Sequence, residues 1–160
     1  MNNYEAHWLW YDFANVADSA IMRSKNVDSD DPYINWEKQE QSMRIAALSF
    51  ACSILETLEL KNNDSHTKIL FHLRNAVLHN TGNIHNNRGK PKPYQECMKY
   101  LSDEKHYDVY ANRTTASSKV YYTITEDGKV TIEGSIFRFI ERLLESFKTE
   151  EERKLPPPTP

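Results

Sequence analysis

Three side chains near the middle of the chain are of the types that phosphate chemistry uses. Arg74, Asn75 and His79 lie within the mainly apolar run 71–80. An arginine guanidinium matches the oxygens of a phosphate, and a histidine imidazole, with an unperturbed pKa of about 6.5, exchanges a proton near neutral pH. Asn75 can orient His79 or bind a phosphate oxygen. These three residues, called the RNH cluster below, are therefore the candidate catalytic residues for a reaction at a phosphate.

The residues around the RNH cluster predict a helix from about 66 to 80, with Gly82 as its stop. Its core face consists of apolar side chains that cluster at 100° per residue: Ile69, Leu70, Leu73, Ala76 and Val77. An adjacent polar stripe carries Lys68, His72, Asn75 and His79. Arg74 lies about 140° from His79 on an ideal helix. Its long side chain, or a loosened last turn, must therefore bring both groups to one phosphate.

Phe71 and Leu78 form a further apolar patch on this helix, which predicts burial against another helix or a second subunit. Structural roles for the cluster are also open. Arg74 could pair with Glu56, which is otherwise an exposed carboxylate, and His79 could interact with the helix dipole. On residue types and spacing alone, these structural roles are the simpler interpretation.

A basic loop directly follows the candidate helix. The span 81–93 contains no acidic residue, and it supplies three supporting candidates for the site, His85, Arg88 and Lys90. His72, within the helix, is a further supporting candidate. The alternative is that all four are ordinary solvent-exposed side chains with no role in the site.

Two earlier helices must position this stretch. The first is predicted over 3–24, with a stripe of Leu9, Phe13, Val16 and Ala20. A band of aromatic residues, Tyr4, Trp8 and Tyr11, packs on another helix or offers a base-stacking platform. After an acidic loop at 25–34, the second helix is predicted from Asn35 to about Lys61. The short turn 62–65, with Asp64 or Ser65 as a cap, makes the second and third helices antiparallel neighbours.

The remainder of the chain has a different pattern. A short helix is predicted at 94–102, a short strand at 105–110, and a β-hairpin from 119–124 and 129–133 around Glu126-Asp127-Gly128. A last helix follows Gly134. The fold class is therefore mainly α, an antiparallel helical bundle with a small β-hairpin before the last helix. Residues 1–148 are predicted to form a single domain, and 149–160 a disordered tail.

Composition limits the classes of function. The 160 residues carry a net charge of −3, which argues against bulk electrostatic binding of duplex nucleic acid but permits a local basic site. The sequence has no apolar run of about 18 residues and no secretory signal, so a cytoplasmic protein without membrane contact is predicted. Cys52 and Cys97 fit a reducing compartment. No metal or nucleotide motif occurs, so neither a metal nor a cofactor is predicted.

Arg74-Asn75-Ala76-Val77-Leu78-His79 resembles the R-N-x-x-x-H signature of the HEPN superfamily, which lies late in the third helix of a small helical bundle. The resemblance implies a metal-independent ribonuclease of a toxin–antitoxin or phage-defence system, with an antitoxin or defence-system partner. It also implies a homodimer, whose two histidines and two arginines would share one cleft and leave a 2′,3′-cyclic phosphate on single-stranded RNA. The alternative is a non-catalytic HEPN-like module that binds a protein partner or a nucleotide.

One residue departs from the family's pattern. HEPN toxins that a nucleotidyltransferase neutralises carry tyrosine two positions after the histidine, where this chain has Thr81. The resemblance therefore does not extend to that mechanism.

Overall fold

The computed structural model describes residues 1–26, 36–79, 82–83, 121–124 and 129–158. The helices among them are α1 (Asn3–Asn26), α2 (Trp36–Thr57), α3 (Ser65–His79), α4 (Ile136–Phe147) and α5 (Glu150–Arg153). The strands β1 (Tyr122–Ile124) and β2 (Val130–Ile132) pair antiparallel between α3 and α4. The chain is thus mainly helical with a two-stranded sheet before its last helices, which confirms the predicted fold class at this level.

The buried face of α1 is not the stripe predicted from the sequence. Leu9 is 44% exposed and Val16 67% exposed, so the prediction was wrong for these two residues, whereas Phe13 packs against the core. The buried face instead comprises Ala6, Trp10, Ala17 and Ile21. Trp10, the largest of these side chains, packs against the rings of Phe13, Phe50 and Phe137. Burying an indole removes more apolar surface from water than burying Leu9 or Val16 does, so Trp10 selects the face that packs.

Helices α2 and α3 are antiparallel neighbours, as predicted. Their facing core residues are Ala47, Leu48, Ala51, Leu55, Ile69, Leu70, Leu73 and Ala76, all of them buried. Asp64 caps α3, because its Oδ1 accepts from the backbone N–H of Thr67 at 2.9 Å. The second helix ends at Thr57, four residues earlier than predicted, and Glu59 then adopts a left-handed φ of 59°.

The small sheet is joined to the C-terminal end of α3. Gly82, with φ of +77°, donates its N–H to the carbonyl of Ala76 at 2.9 Å. Its own carbonyl accepts from the N–H of Val130 at 2.8 Å. On the other side, the Gln41 amide of α2 can donate to the Ile132 carbonyl at 2.9 Å and accept from its N–H at 3.0 Å. Strand β2 therefore fixes the end of α3 against the N-terminal half of α2.

The C-terminal segment has a defined structure. Thr149 and Glu152 form a reciprocal capping box at α5. Tyr4 of α1 donates its hydroxyl to the carbonyl of Pro156, and Asn3 donates to the carbonyl of Phe147 at 2.9 Å. The prediction of a disordered tail is therefore corrected for residues 149–158, where local caps and contacts with α1 compensate for the polar composition.

Several sequence predictions lie outside the described residues. They concern the acidic loop, the basic loop with His85, Arg88 and Lys90, the short helix at 94–102 and the strand at 105–110. Cys97 and the turn of the hairpin also lie outside. Among the helices that the structure does describe, none is both long and apolar enough to cross a membrane.

Candidate functional site

Arg74 lies at the centre of the site that the structure assembles. Its Nη1 is 3.3 Å from Oε1 of Glu56 on α2, and its Nη2 donates to Oδ1 of Asn75 at 3.3 Å. The guanidinium carbon lies 4.8 Å from the centroid of the Phe71 ring, a cation–π contact. The Arg74 side chain is 18% exposed, so its charge is held close to the surface of the helix pair rather than extended into water.

The sequence analysis considered Glu56 either as an exposed carboxylate or as a partner for Arg74, and the structure shows both. Its side chain is 46% exposed, and it also forms the ion pair with Arg74. An ion pair this exposed stabilises the fold by about 0–1 kcal/mol. Its main effect is therefore on the direction and the electrostatic potential of the guanidinium.

Asn75 and His79 are exposed side chains in the last two turns of α3. The helix is regular through His79, so the loosened last turn considered from the sequence is not observed within Ser65–His79. Asn75 and His79, one turn apart on the same face, form a polar strip at the C-terminal end of α3. The guanidinium of Arg74 reaches this strip through its contact with Asn75.

Lys61 is a further cation at the site, which the sequence analysis did not identify. Its Nζ lies 5.1 Å from the centroid of Phe71, the same ring that Arg74 contacts. Both cations are therefore held around one buried aromatic side chain. Lys61 reaches this position because α2 ends at Thr57, which leaves Lys61 in the turn between α2 and α3.

The cysteine beneath this surface is chemically inert. Burial raises the pKa of the Cys52 thiol to about 12, an effect that the charges of Arg74 and Lys61 oppose and that of Glu56 reinforces. A thiol with this pKa carries almost no thiolate at neutral pH. The prediction that Cys52 is buried and not nucleophilic is confirmed for its burial, since its exposure is 0%.

The two residues of the predicted apolar patch, Phe71 and Leu78, differ in solvent exposure. Phe71 is 4% exposed and is covered by cations of its own chain, so it is not available to a second subunit. Leu78 is 49% exposed and adjoins His79. Leu78 is therefore the part of the patch that can contact another molecule.

The structure describes one of the remaining sequence candidates, His72. His72 lies half-buried on α3, one turn before the RNH cluster. His85, Arg88 and Lys90 lie outside the described residues. In the part of the chain that is described, no group of three or more His, Cys, Asp or Glu side chains is placed to hold a metal ion.

Comparisons with known proteins give no assignment. No protein-family model matches this chain, and searches of curated proteins and of solved structures likewise give no match. Any function must therefore be argued from the residues and their geometry.

Proposed function

We propose that this chain is a metal-independent endoribonuclease of the HEPN type, acting on single-stranded RNA in a toxin or phage-defence role. The observation that supports the proposal most is the contact of Arg74 with Asn75, one turn from the exposed His79. It gives a phosphate-binding cation, a positioning amide and a proton-transfer group on one accessible strip.

The reaction that these groups suit is an internal transesterification. The ribose 2′-oxygen attacks phosphorus and gives its proton to one imidazole, while the bond from phosphorus to the 5′-oxygen breaks. A second, protonated imidazole gives its proton to the departing 5′-oxygen. The products are a 2′,3′-cyclic phosphate and a 5′-hydroxyl, with Arg74 stabilising the negative charge that develops on the phosphate oxygens.

This chemistry needs two proton-transfer groups, whereas the RNH cluster of one chain has one exposed histidine. A two-fold dimer with α3 at its interface would supply the second. The 49% exposure of Leu78, next to His79, supports an interface at this end of α3. Each copy would then contribute one RNH cluster to a common cleft.

A second candidate function is favoured by a specific observation. Arg74 forms an ion pair with Glu56 inside its own chain, which is the arrangement expected of a non-catalytic binding module. In that case α3 would serve as an interface for a protein partner or a nucleotide, and His79 would have no proton to transfer.

The experiment that tests the nuclease is cleavage of end-labelled single-stranded RNA in EDTA by the wild type and by His79→Ala and Arg74→Ala. We expect each substitution to lower the rate at least 100-fold, in line with losses of acid–base or charge stabilisation. Arg23→Ala, which removes an exposed arginine of α1 outside the site, is the control and should retain wild-type activity. Cleavage that survives both site substitutions would contradict the assignment.

Dimer formation is tested with a matched pair of leucines. Leu78→Asp should give a monomer in light scattering and should lose cleavage together with dimerisation. Leu9→Asp places the same charge at another exposed leucine, on α1, and should change neither property. If wild type cleaves none of several RNAs, the binding module becomes the better description.

A further inference from the structure

A polar cavity lies between α1 and α4. Its volume is about 520 Å³, and its walls include Tyr11, Asn15 and Asp18 from α1 with Arg138, Glu141 and Arg142 from α4. None of these residues belongs to the RNH cluster or to its contacts. The cavity therefore needs an explanation of its own.

The two arginines of the cavity have unused hydrogen-bonding capacity. Arg138 and Arg142 are one turn apart on α4, so their side chains lie along the same helix face. Arg138 is exposed and Arg142 is half-buried, and neither guanidinium makes a hydrogen bond or ion pair with any described residue. Each guanidinium offers five N–H donors. Both guanidinium groups can therefore donate hydrogen bonds to an anionic group that enters the cavity.

An aromatic side chain stands at the same cavity. Tyr11 is 42% exposed, and Trp8 holds it from one side, with ring centroids 5.4 Å apart at an interplanar angle of 75°. Tyr4 contacts Trp8 in turn at 6.5 Å. The aromatic band thus supports Tyr11 in a fixed position while leaving much of its ring accessible. An accessible, supported ring is what a nucleobase stacks on.

We propose that this cavity binds one nucleotide unit of a single-stranded RNA, at a distance from the RNH cluster. Arg138 and Arg142 hold its phosphate, and Tyr11 stacks on its base. This inference rests on the proposed function in so far as the same RNA is the substrate. Binding at the cavity would then hold the strand while another part of it is cleaved.

The carboxylates of the cavity favour RNA over an acidic peptide. An ionised acidic side chain offers Asp18 and Glu141 no hydrogen-bond donor. A nucleotide instead offers ribose hydroxyl and base amino groups, which donate hydrogen bonds to carboxylates. The Asn15 amide can both donate to and accept from the same groups. The mixture of two cations, two acceptors and one aromatic ring therefore fits a nucleotide unit.

The test measures binding of a fluorescently labelled single-stranded RNA of about ten nucleotides by anisotropy, in full-length protein carrying His79→Ala so that the RNA stays intact. We expect Arg138→Gln and Arg142→Gln each to raise the Kd about threefold to tenfold. Each should also reduce the slope of log Kd against log salt by up to about one. Arg23→Gln, which removes an exposed arginine of α1 outside the cavity, is the matched control and should bind as the parent does.

Tyr11 gives an independent readout. Tyr11→Leu should raise the Kd at least about fivefold because stacking is lost, and Tyr11→Phe should leave it unchanged because the ring remains. Arginine variants that bind like Arg23→Gln would overturn the proposal. The proposal would also be overturned if the protein bound adenosine 5′-monophosphate through both arginines but did not bind the RNA.

The two proposals fail separately. A wild type that does not cleave RNA, but whose RNA binding is weakened by the cavity substitutions, would remove the nuclease and keep the cavity. Normal cleavage with unchanged binding in every cavity variant would remove the cavity and keep the nuclease.

Discussion

The guanidinium of Arg74 contacts three side chains, and these have opposing effects on its ability to bind a phosphate. Asn75 draws it towards the strip that carries His79, while the carboxylate of Glu56 holds it against α2. The ring of Phe71 lies beneath it. For binding a phosphate, the hydrogen bond to Asn75 is useful, whereas the negative charge of Glu56 lowers the local positive potential. Glu56 therefore sets how strongly Arg74 attracts an anion.

Replacing that carboxylate by an amide separates the two effects. Glu56→Gln keeps an oxygen that accepts from Arg74 but removes the charge, so RNA should bind about twofold to fivefold more tightly, as expected for an exposed charge interaction. The free energy of unfolding should change by less than about 0.5 kcal/mol. Both are measured in the His79→Ala background, by anisotropy and by urea unfolding. Glu151→Gln, the same change on exposed α5, controls for net charge. Equal RNA affinity in the two variants would refute a competing role for Glu56.

The site was only partly predictable at this scale. Residue types and spacing led to Arg74, Asn75 and His79, and to Glu56 as a partner for Arg74. Lys61 was missed because the end of α2 depends on Glu59, a non-glycine residue with a left-handed φ of 59°. Glutamate favours helix, so the local sequence does not predict that α2 ends here. The distance between Arg74 and Phe71 likewise depends on rotamers that a sequence does not specify.

Among the elements, α3 is the one whose two ends are most clearly fixed. Asp64 caps its start, and Gly82 closes its end and hydrogen bonds with β2. The hairpin therefore has a definite role, since it anchors the turn that follows the RNH cluster. The Gly82 stop and the antiparallel pairing of α2 with α3 followed from sequence, because glycine after a periodic run and a short polar turn are local signals.

Gly82→Ala tests this anchoring. At φ of +77° a Cβ meets no atom within 4 Å, so the cost is that of the backbone conformation alone, about 1–2 kcal/mol. Urea unfolding should show that loss of stability. Gly134→Ala is the control, because no positive φ applies there and the nearest atom, Nη2 of Arg44, lies at an ordinary contact distance of 3.4 Å. It should be neutral or slightly stabilising. Equal effects of the two substitutions would contradict the role of the left-handed turn.

Helix α1 shows where element-scale prediction fails. Its sequence contains two apolar stripes, and periodicity alone does not rank them. Packing chooses the stripe with Trp10 because that ring fills space between Phe50 of α2 and Phe137 of α4. The choice depends on residues far away in sequence, which is why a window along α1 could not make it.

On the scale of the whole molecule, the two ends of the described chain are joined through a charged cluster. His7 of α1 is buried, and its Nε2 lies 3.2 Å from Oε2 of Glu145 on α4. The same carboxylate oxygen lies 2.8 Å from Nζ of Lys148, which is buried beside the rings of Tyr4 and Trp8. One carboxylate therefore serves a lysine and a histidine together.

This arrangement predicts loss of stability in mild acid. Burial, and then the charge of Lys148, lower the pKa of His7 below 6.5, while Glu145 and Glu141 oppose them. Between the folded and unfolded pKa values, the unfolded chain binds more protons, so the free energy of unfolding rises with pH. It should therefore fall as pH decreases from 7.5 to 5. The fall levels off once the pH is below the pKa of folded His7.

Comparison with His7→Gln isolates this contribution, since the other titrating groups are common to both proteins. Urea unfolding at several pH values should give a shallower pH dependence for His7→Gln than for wild type over pH 5–7.5. The change in unfolding free energy between pH 7.5 and pH 5 is compared between the two proteins. The difference measures the shift in the pKa of His7 on folding, because one pKa unit corresponds to about 1.4 kcal/mol. Parallel curves would mean that His7 accepts a proton in the folded protein as easily as in the unfolded one. A steeper dependence in the variant would mean that Glu145 outweighs burial and Lys148 together, and that the link between α1 and α4 strengthens when His7 is charged.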